Sequence, residues 1–423
     1  MTIVKQAWQE LRSQPVIGAI TVTGTALAIF LIMVVVMTGN IKTATIAPES
    51  NRNRMLHERH MALCNLNGDG SGSSLLSYRM AKDLFCDLES AEVTTVYSSD
   101  PWRASARVAA QKPVKIDMRQ TDDNYWKVFD HTFLSGRSYT AEEVASHARV
   151  AVISEDIAKK LFGTTDCTGR EILINMFNPV EVIGVVRDVP TVTNFAYSSV
   201  WLPLNETGMA DSDWFGGLMV TILARDRGDF KTIIDETERR KEIVNTRLKA
   251  DNRVIADHIV PLDSEAIHLA RYSNIGPDVK SHRNRKLAVY LILLIIPAIN
   301  LSSMTHSRLR RRVSEMGVRR AFGCTRSRLT ATIISENLII TLAGGIAGFI
   351  LSAVVTWLMA DTLFVNHQLA TPDTRVSVGM LLNMHTFLIA LAACFVLNLL
   401  SSGLPAWRAA RISPTRAIGG LQK

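Results

Sequence analysis

Side chains that could form a catalytic centre are scattered in this sequence of 423 residues. His258 and His268 stand near Asp257 and Asp263, but no nucleophile accompanies them in a recognisable arrangement. The sequence contains no G-x-x-x-x-G-K-[S/T] loop for nucleotide phosphates, no G-x-S-x-G turn and no H-E-x-x-H zinc motif. No cysteine and histidine spacing resembles a metal site. We therefore predict a non-catalytic chain without metal or cofactor, which has no P-loop of its own for ATP.

A glycine- and serine-rich stretch is the other segment that could bind an ion or a phosphate. Gly68–Ser74 superficially resembles a calcium or phosphate loop, but it lacks the acidic spacing of an EF-hand and the Gly-Lys ending of a P-loop. We interpret it as a flexible surface loop.

Basic residues are concentrated between two apolar stretches. Eight arginines and one acid, Glu315, lie between His306 and Ala331, in a chain whose net charge is +8. Since lysine and arginine in short loops stay on the cytoplasmic side of a membrane, this segment is predicted to be cytoplasmic. The charge reports membrane topology and does not indicate nucleic-acid binding, which calls for a basic soluble surface.

Four apolar stretches are long enough to span a membrane as helices, which takes about 20 residues. A short amphipathic segment with Trp8 precedes the first stretch and suits the inner membrane face. We predict that the first stretch is a retained anchor, since it is too long for the apolar core of a signal peptide. Both termini are basic and are placed in the cytoplasm. In chain order we predict a cytoplasmic amphipathic helix 1–15, transmembrane helix 16–38, an extracytoplasmic domain 39–286, transmembrane helix 287–304, a cytoplasmic loop 305–331, transmembrane helix 332–359, an outside loop 360–379, transmembrane helix 380–404 and a cytoplasmic tail 405–423.

The long outside segment has the pattern of an α+β domain. Arg149–Ser154 is typical of a strand, and Ser154 is placed to cap a helix from Glu155 to Phe162 that ends at Gly163. Two further strands are predicted over Glu171–Asn175 and Val180–Arg187, and an exposed helix over Phe230–Ala250.

Several stretches resemble the MacB/FtsX-type family of ABC transporter permeases. Outside the membrane these are Asp123–Asp130, Phe133–Arg137, Val150–Gly163 and Val182–Pro190. In the membrane part they are Ser314–Arg326, then Glu336 with Gly344–Gly348, and Pro405–Ile418. The resemblance is weak over Asn40–Val114 and Asn205–Ser281, where we expect recognition surfaces specific to this system.

The resemblance implies a multi-pass inner-membrane permease with four transmembrane helices and a MacB-like periplasmic domain. MacB carries its ATPase domain on the same chain, whereas this sequence has only residues 1–15 before its first span. We therefore expect a separate ATPase subunit and a dimer formed with a second permease, identical or homologous. A periplasmic adaptor or cargo is the remaining partner class, and the cargo is left open.

The Arg-rich loop is the segment expected to meet the ATPase, while its arginines lie at anionic lipid. A purely topological role for the arginines would explain their charge, but not the glycines that frame the segment. The predicted coupling residues are Glu315, Met316, Gly317, Val318, Arg319, Arg320 and Gly323.

Two smaller features concern packing and cross-linking. Gly344 and Gly348 form a G-x-x-x-G pattern that allows close helix packing, within one chain or at the dimer interface. Cys64 and Cys86 are candidates for a disulfide bond in an oxidising compartment, with unpaired thiols as the alternative.

Two functions are compatible with these observations. The first is a permease subunit that transmits ATP-driven conformational change to its periplasmic domain, for export or extraction of a periplasmic or membrane cargo. The alternative is a membrane receptor, or a regulator of a cell-envelope enzyme, that signals through the basic cytoplasmic loop.

Overall fold

The structure, a computed structural model, divides into a helical unit and an α+β unit, which are described separately. It describes residues 15–40, 45–67, 71–109, 111–205, 215–255, 263–264, 280–281, 283–289, 291–292, 322–359, 384, 387–389, 391–392 and 395–396.

The helical unit contains two long helices, α1 (Pro15–Asn40) and α7 (Arg326–Leu358). Helix α1 covers residues 16–38, for which the first transmembrane helix was predicted, and its role as a span stays a prediction. Within the described residues, one window, Thr341–Leu358, is long and apolar enough to cross a membrane, and α1 contributes the shorter apolar stretch Val22–Met37.

Helix α7 begins earlier than the apolar pattern indicates. The predicted cytoplasmic loop 305–331 ends inside this helix, because α7 starts at Arg326 rather than at residue 332. Arginine, leucine and alanine all favour helix, so the helix continues beyond its apolar part. Gly323, with φ +86°, provides the left-handed turn just before the helix starts.

Among the residues that the structure describes, the α+β unit contains fifteen strands, joined in one hydrogen-bonded network, and five α-helices. The strands are β1 (Met55–Glu58), β2 (His60–Asn65), β3 (Ser71–Leu76), β4 (Val93–Ser98), β5 (Trp102–Arg107), β6 (Val114–Thr121), β7 (Phe133–Gly136), β8 (Val150–Ser154), β9 (Glu171–Ile174), β10 (Asn178–Val186), β11 (Val200–Pro203), β12 (Phe215–Gly216), β13 (Leu218–Leu223), β14 (Arg253–Ile255) and β15 (Asp263–Ser264). The helices are α2 (Tyr78–Phe85), α3 (Tyr125–Val128), α4 (Ala141–Ala145), α5 (Glu155–Phe162) and α6 (Phe230–Leu248).

Part of the network closes on itself. The strand order runs β11-β8-β10-β9-β5-β6-β4-β13-β3-β2-β14, and β11 pairs both with β8 and, in parallel, with β6. Six strands therefore form a ring, and their inward side chains pack with α5 around an aliphatic core that includes Ile116, Ile153 and Val182. A second aliphatic core lies between the sheet and helices α2 and α6. An aromatic cluster that contains Tyr97, Tyr125 and Trp201 is the third buried group.

The α+β prediction is confirmed, and so is the local pattern around helix α5. The Ser154 hydroxyl accepts a hydrogen bond from the Ile157 amide at 3.5 Å, and Gly163 adopts φ +72° after the last turn. Helix α6 was predicted to be exposed, but it buries Ile233, Val244 and Leu248 against the aliphatic core.

One local prediction is wrong. Ser71–Ser74, assigned to a flexible loop, belong to strand β3 and pair in register with Met61–Cys64 of β2. The pairing with β2 supplies backbone hydrogen bonds that override the weak strand propensity of glycine and serine.

Candidate functional site

The contact between α1 and α7, which we call the helix seam, is built on two glycines. A Cβ atom at Gly344 would lie 2.7 Å from the Thr25 Cβ, and one at Gly348 would lie 3.1 Å from the Ile29 Cβ and collide with the Ala26 carbonyl oxygen. The two backbones are therefore as close as side-chain-free residues permit. Contacts run in the same order along both helices, up to Thr356 near Met37, so α1 and α7 are parallel.

A second face of α7 meets residues of the predicted fourth span. A Cβ atom at Gly345 would lie 2.5 Å from the Leu391 Cδ1, and the rings of Phe349 and Phe387 are 4.4 Å apart. Three of the four predicted spans thus contribute residues to one packed group centred on α7.

The chain that follows α1 enters the α+β unit through a buried ion pair, which we call the entry junction. Glu49 and Arg52 are 0% and 2% exposed and form a salt bridge with each other. The second Glu49 oxygen accepts hydrogen bonds from the backbone amides of Phe195 and Ala196, at 2.9 and 2.8 Å. Arg52 donates to the Val192 carbonyl oxygen at 3.0 Å. This pair therefore ties the segment after α1 to the loop 189–199, which we call the latch loop.

Arg119 holds the latch loop from the sheet side. This fully buried arginine donates to the carbonyl oxygens of Asn194 and Tyr197, both at 3.1 Å, and to that of Ser98 at 2.9 Å. Its guanidinium also lies 5.2 Å from the centre of the Tyr97 ring. A buried cation is tolerated here because backbone carbonyl oxygens and an aromatic face replace its water.

Aromatic side chains complete the junction. The Tyr125 hydroxyl donates to the Ala196 carbonyl oxygen at 2.8 Å and accepts from the Trp201 indole at 3.2 Å. The His57 ring stacks on Phe195 with their centres 3.8 Å apart. These directional contacts fix the position of the latch loop as well as burying it.

Two titratable groups beside the junction are held away from their ordinary protonation behaviour. Burial raises the pKa of the Asp122 carboxyl to about 7, although Thr95, the Val96 amide and the Tyr125 amide donate hydrogen bonds to it. Burial, and then the charge of Arg119, lower the pKa of His131 to about 3. Both effects follow from the cost of partly removing a charge from water, since both residues are half-buried.

In this arrangement the charged side chains hold backbone groups in place. Among the described residues no cluster of histidine, cysteine and acidic side chains could hold a metal. The buried charges of Glu49 and Arg119 are occupied by backbone groups, so they do not face a reacting molecule.

Comparison with protein families assigns the chain. The model of the MacB-like periplasmic core domain matches residues 19–240, and the model of the FtsX-like permease C-terminal domain matches residues 287–414. The chain belongs to the MacB/FtsX-type ABC transporter permease family. Members of this family are inner-membrane permeases, and the family implies an ATPase partner.

Individual relatives agree with this family. The uncharacterized ABC transporter permease YknZ of Bacillus subtilis is 25% identical over 307 residues, which cover 70% of this chain and 68% of YknZ. The macrolide export ATP-binding/permease protein MacB of Escherichia coli K12 is 25% identical over 336 residues, 75% of this chain and 47% of MacB. This chain spans less than half the length of the MacB relatives it matches.

Solved extracytoplasmic domains of the family also match. The extracellular domain of YknZ overlaps 47% of this chain and 100% of its own length, at 19% identity and a TM-score of 0.33. The periplasmic region of MacB from Actinobacillus actinomycetemcomitans overlaps 47% of this chain and 88% of its own length, at 18% identity and a TM-score of 0.32.

One family motif recognised in the sequence lies at the entry junction, and two others pack against each other. Asp123–Asp130 contains α3 with Tyr125, and the Asp130 amide donates to the Pro48 carbonyl oxygen at 2.8 Å. Gly136 and Gly184 are register partners on β7 and β10, and a side chain on Gly184 would collide with the Arg137 carbonyl oxygen. The glycines in these motifs thus permit two backbones to lie in contact.

The predicted site residues are distributed unevenly over the structure. Glu315, Met316, Gly317, Val318, Arg319 and Arg320 lie outside the described residues. Gly323 is described, at the turn before α7. Gly344 and Gly348 lie together at the helix seam, within one chain.

Cys64 and Cys86, the candidates for a disulfide bond, are both free thiols in this structure, and the bond stays a prediction. Cys64 pairs across strands with Ser71 and Val254, whereas Cys86 follows helix α2 and packs against the aliphatic core. Burial raises the pKa of the Cys86 thiol to about 12, which disfavours the thiolate needed for oxidation.

Sequence reasoning missed the entry junction altogether. Glu49 and Arg52 follow an apolar stretch, where charged residues ordinarily mark its aqueous end, so their types gave no signal of burial. The Glu-x-x-Arg spacing was the one available hint, since it suits an ion pair within a turn.

Proposed function

We propose that this chain is the permease subunit of an ABC transporter in which a separate cytoplasmic ATPase drives movement of the extracytoplasmic domain. The movement serves export or extraction of a periplasmic or membrane cargo. Two permeases, identical or homologous, form the working unit, with a periplasmic adaptor as a further partner class.

The observation that carries this proposal is the close packing found within each of the two units that the chain connects. Helix α7 follows the Arg-rich segment and packs backbone to backbone on α1. The chain leaving α1 then locks into the α+β unit through Glu49 and Arg52. In this proposal, a displacement received near Gly323 passes along α7 to α1 and then, through the chain that follows α1, to the latch loop.

The dimensions of α7 support this route. Its 33 residues correspond to about 50 Å of helix, whereas the hydrocarbon core of a bilayer is about 30 Å thick. Since its apolar window occupies the second half of the helix, we infer that the first half extends toward the cytoplasm. An ATPase there would contact a rigid extension of the span.

The parallel arrangement of α1 and α7 supports the proposed topology. Two parallel spans require an odd number of crossings between them, which fits the predicted span 287–304. With the basic loop and termini inside, the domain 39–286 lies outside the cytoplasm. The MacB relatives are named for macrolide export; for this chain we propose only the broader cargo class.

Reconstitution with the ATPase subunit tests the proposal. We expect no ATP hydrolysis by the purified chain, and hydrolysis that responds to the chain once the ATPase subunit is added. The double variant Glu315→Lys, Gly317→Trp should lose co-purification of the ATPase, while Arg311→Lys, which keeps the charge of the same loop, should retain it. Hydrolysis by the chain alone, or undiminished ATPase binding by the double variant, would refute the proposal.

A further inference from the structure

The turn that joins β9 and β10 displays two large apolar side chains. Phe177 is 82% exposed and Met176 is 49% exposed, while Ile172 and Ile174 on the preceding strand are buried. We call Asn175–Phe177 the hairpin tip.

The backbone of the hairpin tip is unfavourable for the residues that occupy it. Asn175 and Met176 have φ values of +48° and +72°. Asparagine tolerates this conformation, but for methionine it costs on the order of 1 kcal/mol, and glycine would remove that cost. Position 176 therefore carries an exposed apolar side chain, although glycine would give a less strained turn.

The hairpin tip is nevertheless held firmly. The Asn175 amide donates to the Ser105 carbonyl oxygen at 2.8 Å, and the Ser105 amide donates to the Asn175 side chain at 3.1 Å. These two bonds attach the turn to the neighbouring strand β5. Met176 and Phe177 are thus presented on a fixed base.

Positive charge surrounds this point of the sheet. Arg103 and Arg107 flank Ser105 on β5, and Lys115 of β6 is the register partner of Ser105. Among the acids of the adjoining strands, Asp117 is the register partner of Arg103 but is fully buried, and Glu171 and Glu181 face each other further from the turn. The surface next to the apolar tip therefore complements a negatively charged partner.

We propose that the hairpin tip docks into an apolar socket, edged by carboxylates, on an extracytoplasmic partner protein. Apolar anchors within a polar rim are the usual energetic centre of a protein interface. A strained, anchored turn suits binding to a protein better than binding to a lipid surface. A preorganised shape improves binding to a site of fixed shape, and a fluid bilayer has no such site. The inference rests on the proposed function only in placing this domain outside the cytoplasm.

Site-specific photocross-linking in cells tests it. We would place benzoylphenylalanine at position 177 of the full chain and, as a matched control, at Ile243, which is 59% exposed on α6 of the same unit. We expect one discrete protein adduct at position 177 that is absent at position 243. The protein identified by mass spectrometry would then be purified and titrated against the full chain.

In that titration, Phe177→Asp should raise the dissociation constant about tenfold or more, and Ile243→Glu should leave it unchanged. Met176→Gly should weaken binding while keeping or improving thermal stability, a combination that a structural role for Met176 would not produce. Lys115→Glu should weaken binding more at low salt than at high salt.

Adducts with lipid only, adducts with a second copy of this chain only, no adduct at wild-type expression, or equal binding by Phe177→Asp would each overturn the proposal. Co-purification of the ATPase should be unchanged in Phe177→Asp. A failure of this proposal is therefore distinguishable from a failure of the proposed function.

Discussion

At the helix seam, Gly344 and Gly348 bring two helices together by omitting side chains, and one polar contact between the helices is a 4.0 Å approach of Thr356 to Met37. At the entry junction, Glu49, Arg52 and Arg119 hold the latch loop with charged hydrogen bonds. The seam depends on close fit, so added volume should disrupt it. The junction depends on directional hydrogen bonds, so loss of a bonding partner should disrupt it. The two regions should therefore fail under opposite kinds of substitution.

The largest effect is expected from added volume at the seam. Gly348→Leu would place a side chain against the Ala26 carbonyl oxygen, where no neighbouring side chain can move aside. We expect loss of most monodisperse protein in detergent, measured by size-exclusion chromatography after a heating series. Ala347→Leu adds a larger apolar side chain at the exposed position between the glycines and should behave like wild type. Equal behaviour of the two variants would contradict close packing at Gly348.

The next effect concerns the ion pair of the entry junction. Arg52→Met leaves the buried Glu49 carboxylate without its cation and should destabilise the segment 39–286, which we expect to fold alone, by about 3–5 kcal/mol. Urea unfolding measures the change. The double variant Glu49→Leu, Arg52→Met removes both charges and should cost less than Arg52→Met alone. If the loss of unfolding free energy in the double variant equals the sum of the losses in Arg52→Met and Glu49→Leu, the two residues are not energetically coupled.

A smaller effect is the pH dependence that Asp122 imposes beside the junction. Its pKa is raised from an ordinary 3.8 to about 7, so the folded state holds this proton over a pH range in which the unfolded state has lost it. Stability is therefore greatest at low pH and is lost as the pH rises through 7, by about 2–3 kcal/mol between pH 5 and pH 8.

Asp122→Asn should remove this slope. The measurement is the difference between wild-type and variant unfolding free energies at several pH values. His131 acts in the opposite direction, because its lowered pKa makes stability fall as the pH drops from about 6.5 toward 3. Comparing wild type with the variant cancels that contribution. A difference that does not change between pH 5 and pH 8 would contradict the assignment.

The smallest effect should come from the polar group at the seam. Thr356→Val keeps the shape of the side chain and removes only the hydroxyl that approaches Met37. We expect a change below about 0.6 kcal/mol, the typical size of a polar contact between membrane helices. A thermal shift as large as that of Gly348→Leu would show that the seam depends on polar bonding.

Local patterns predicted much of the fold but not the junction. Ser154 and Gly163 cap the helix at its two ends, so helix α5 could be predicted from the ten consecutive residues 154–163. The full extent of α7 could not be predicted, because hydropathy indicates only the part of a helix that is suited to lipid. Strand β3 is stabilised by its pairing with β2, and a sequence of glycine and serine does not predict that pairing.

The helix seam could be predicted from a local pattern, whereas the entry junction could not. The G-x-x-x-G pattern indicated the seam, because absent side chains are visible in a sequence. It did not indicate which helix would fill the space. The ties of Glu49 and Arg52 reach 140 or more residues along the chain, to Val192 and Phe195, and no local pattern encodes those partners.

The ring formed by β6, β11, β8, β10, β9 and β5 has a consequence for how other proteins can attach to it. A sheet with a free edge can accept an extra strand from another chain, in the manner of amyloid growth or of strand exchange between subunits. Closure through β11 and β6 uses the backbone groups that would offer such an edge. Attachment along β11 and β6 must then occur through side chains, which makes it specific to the residues displayed there.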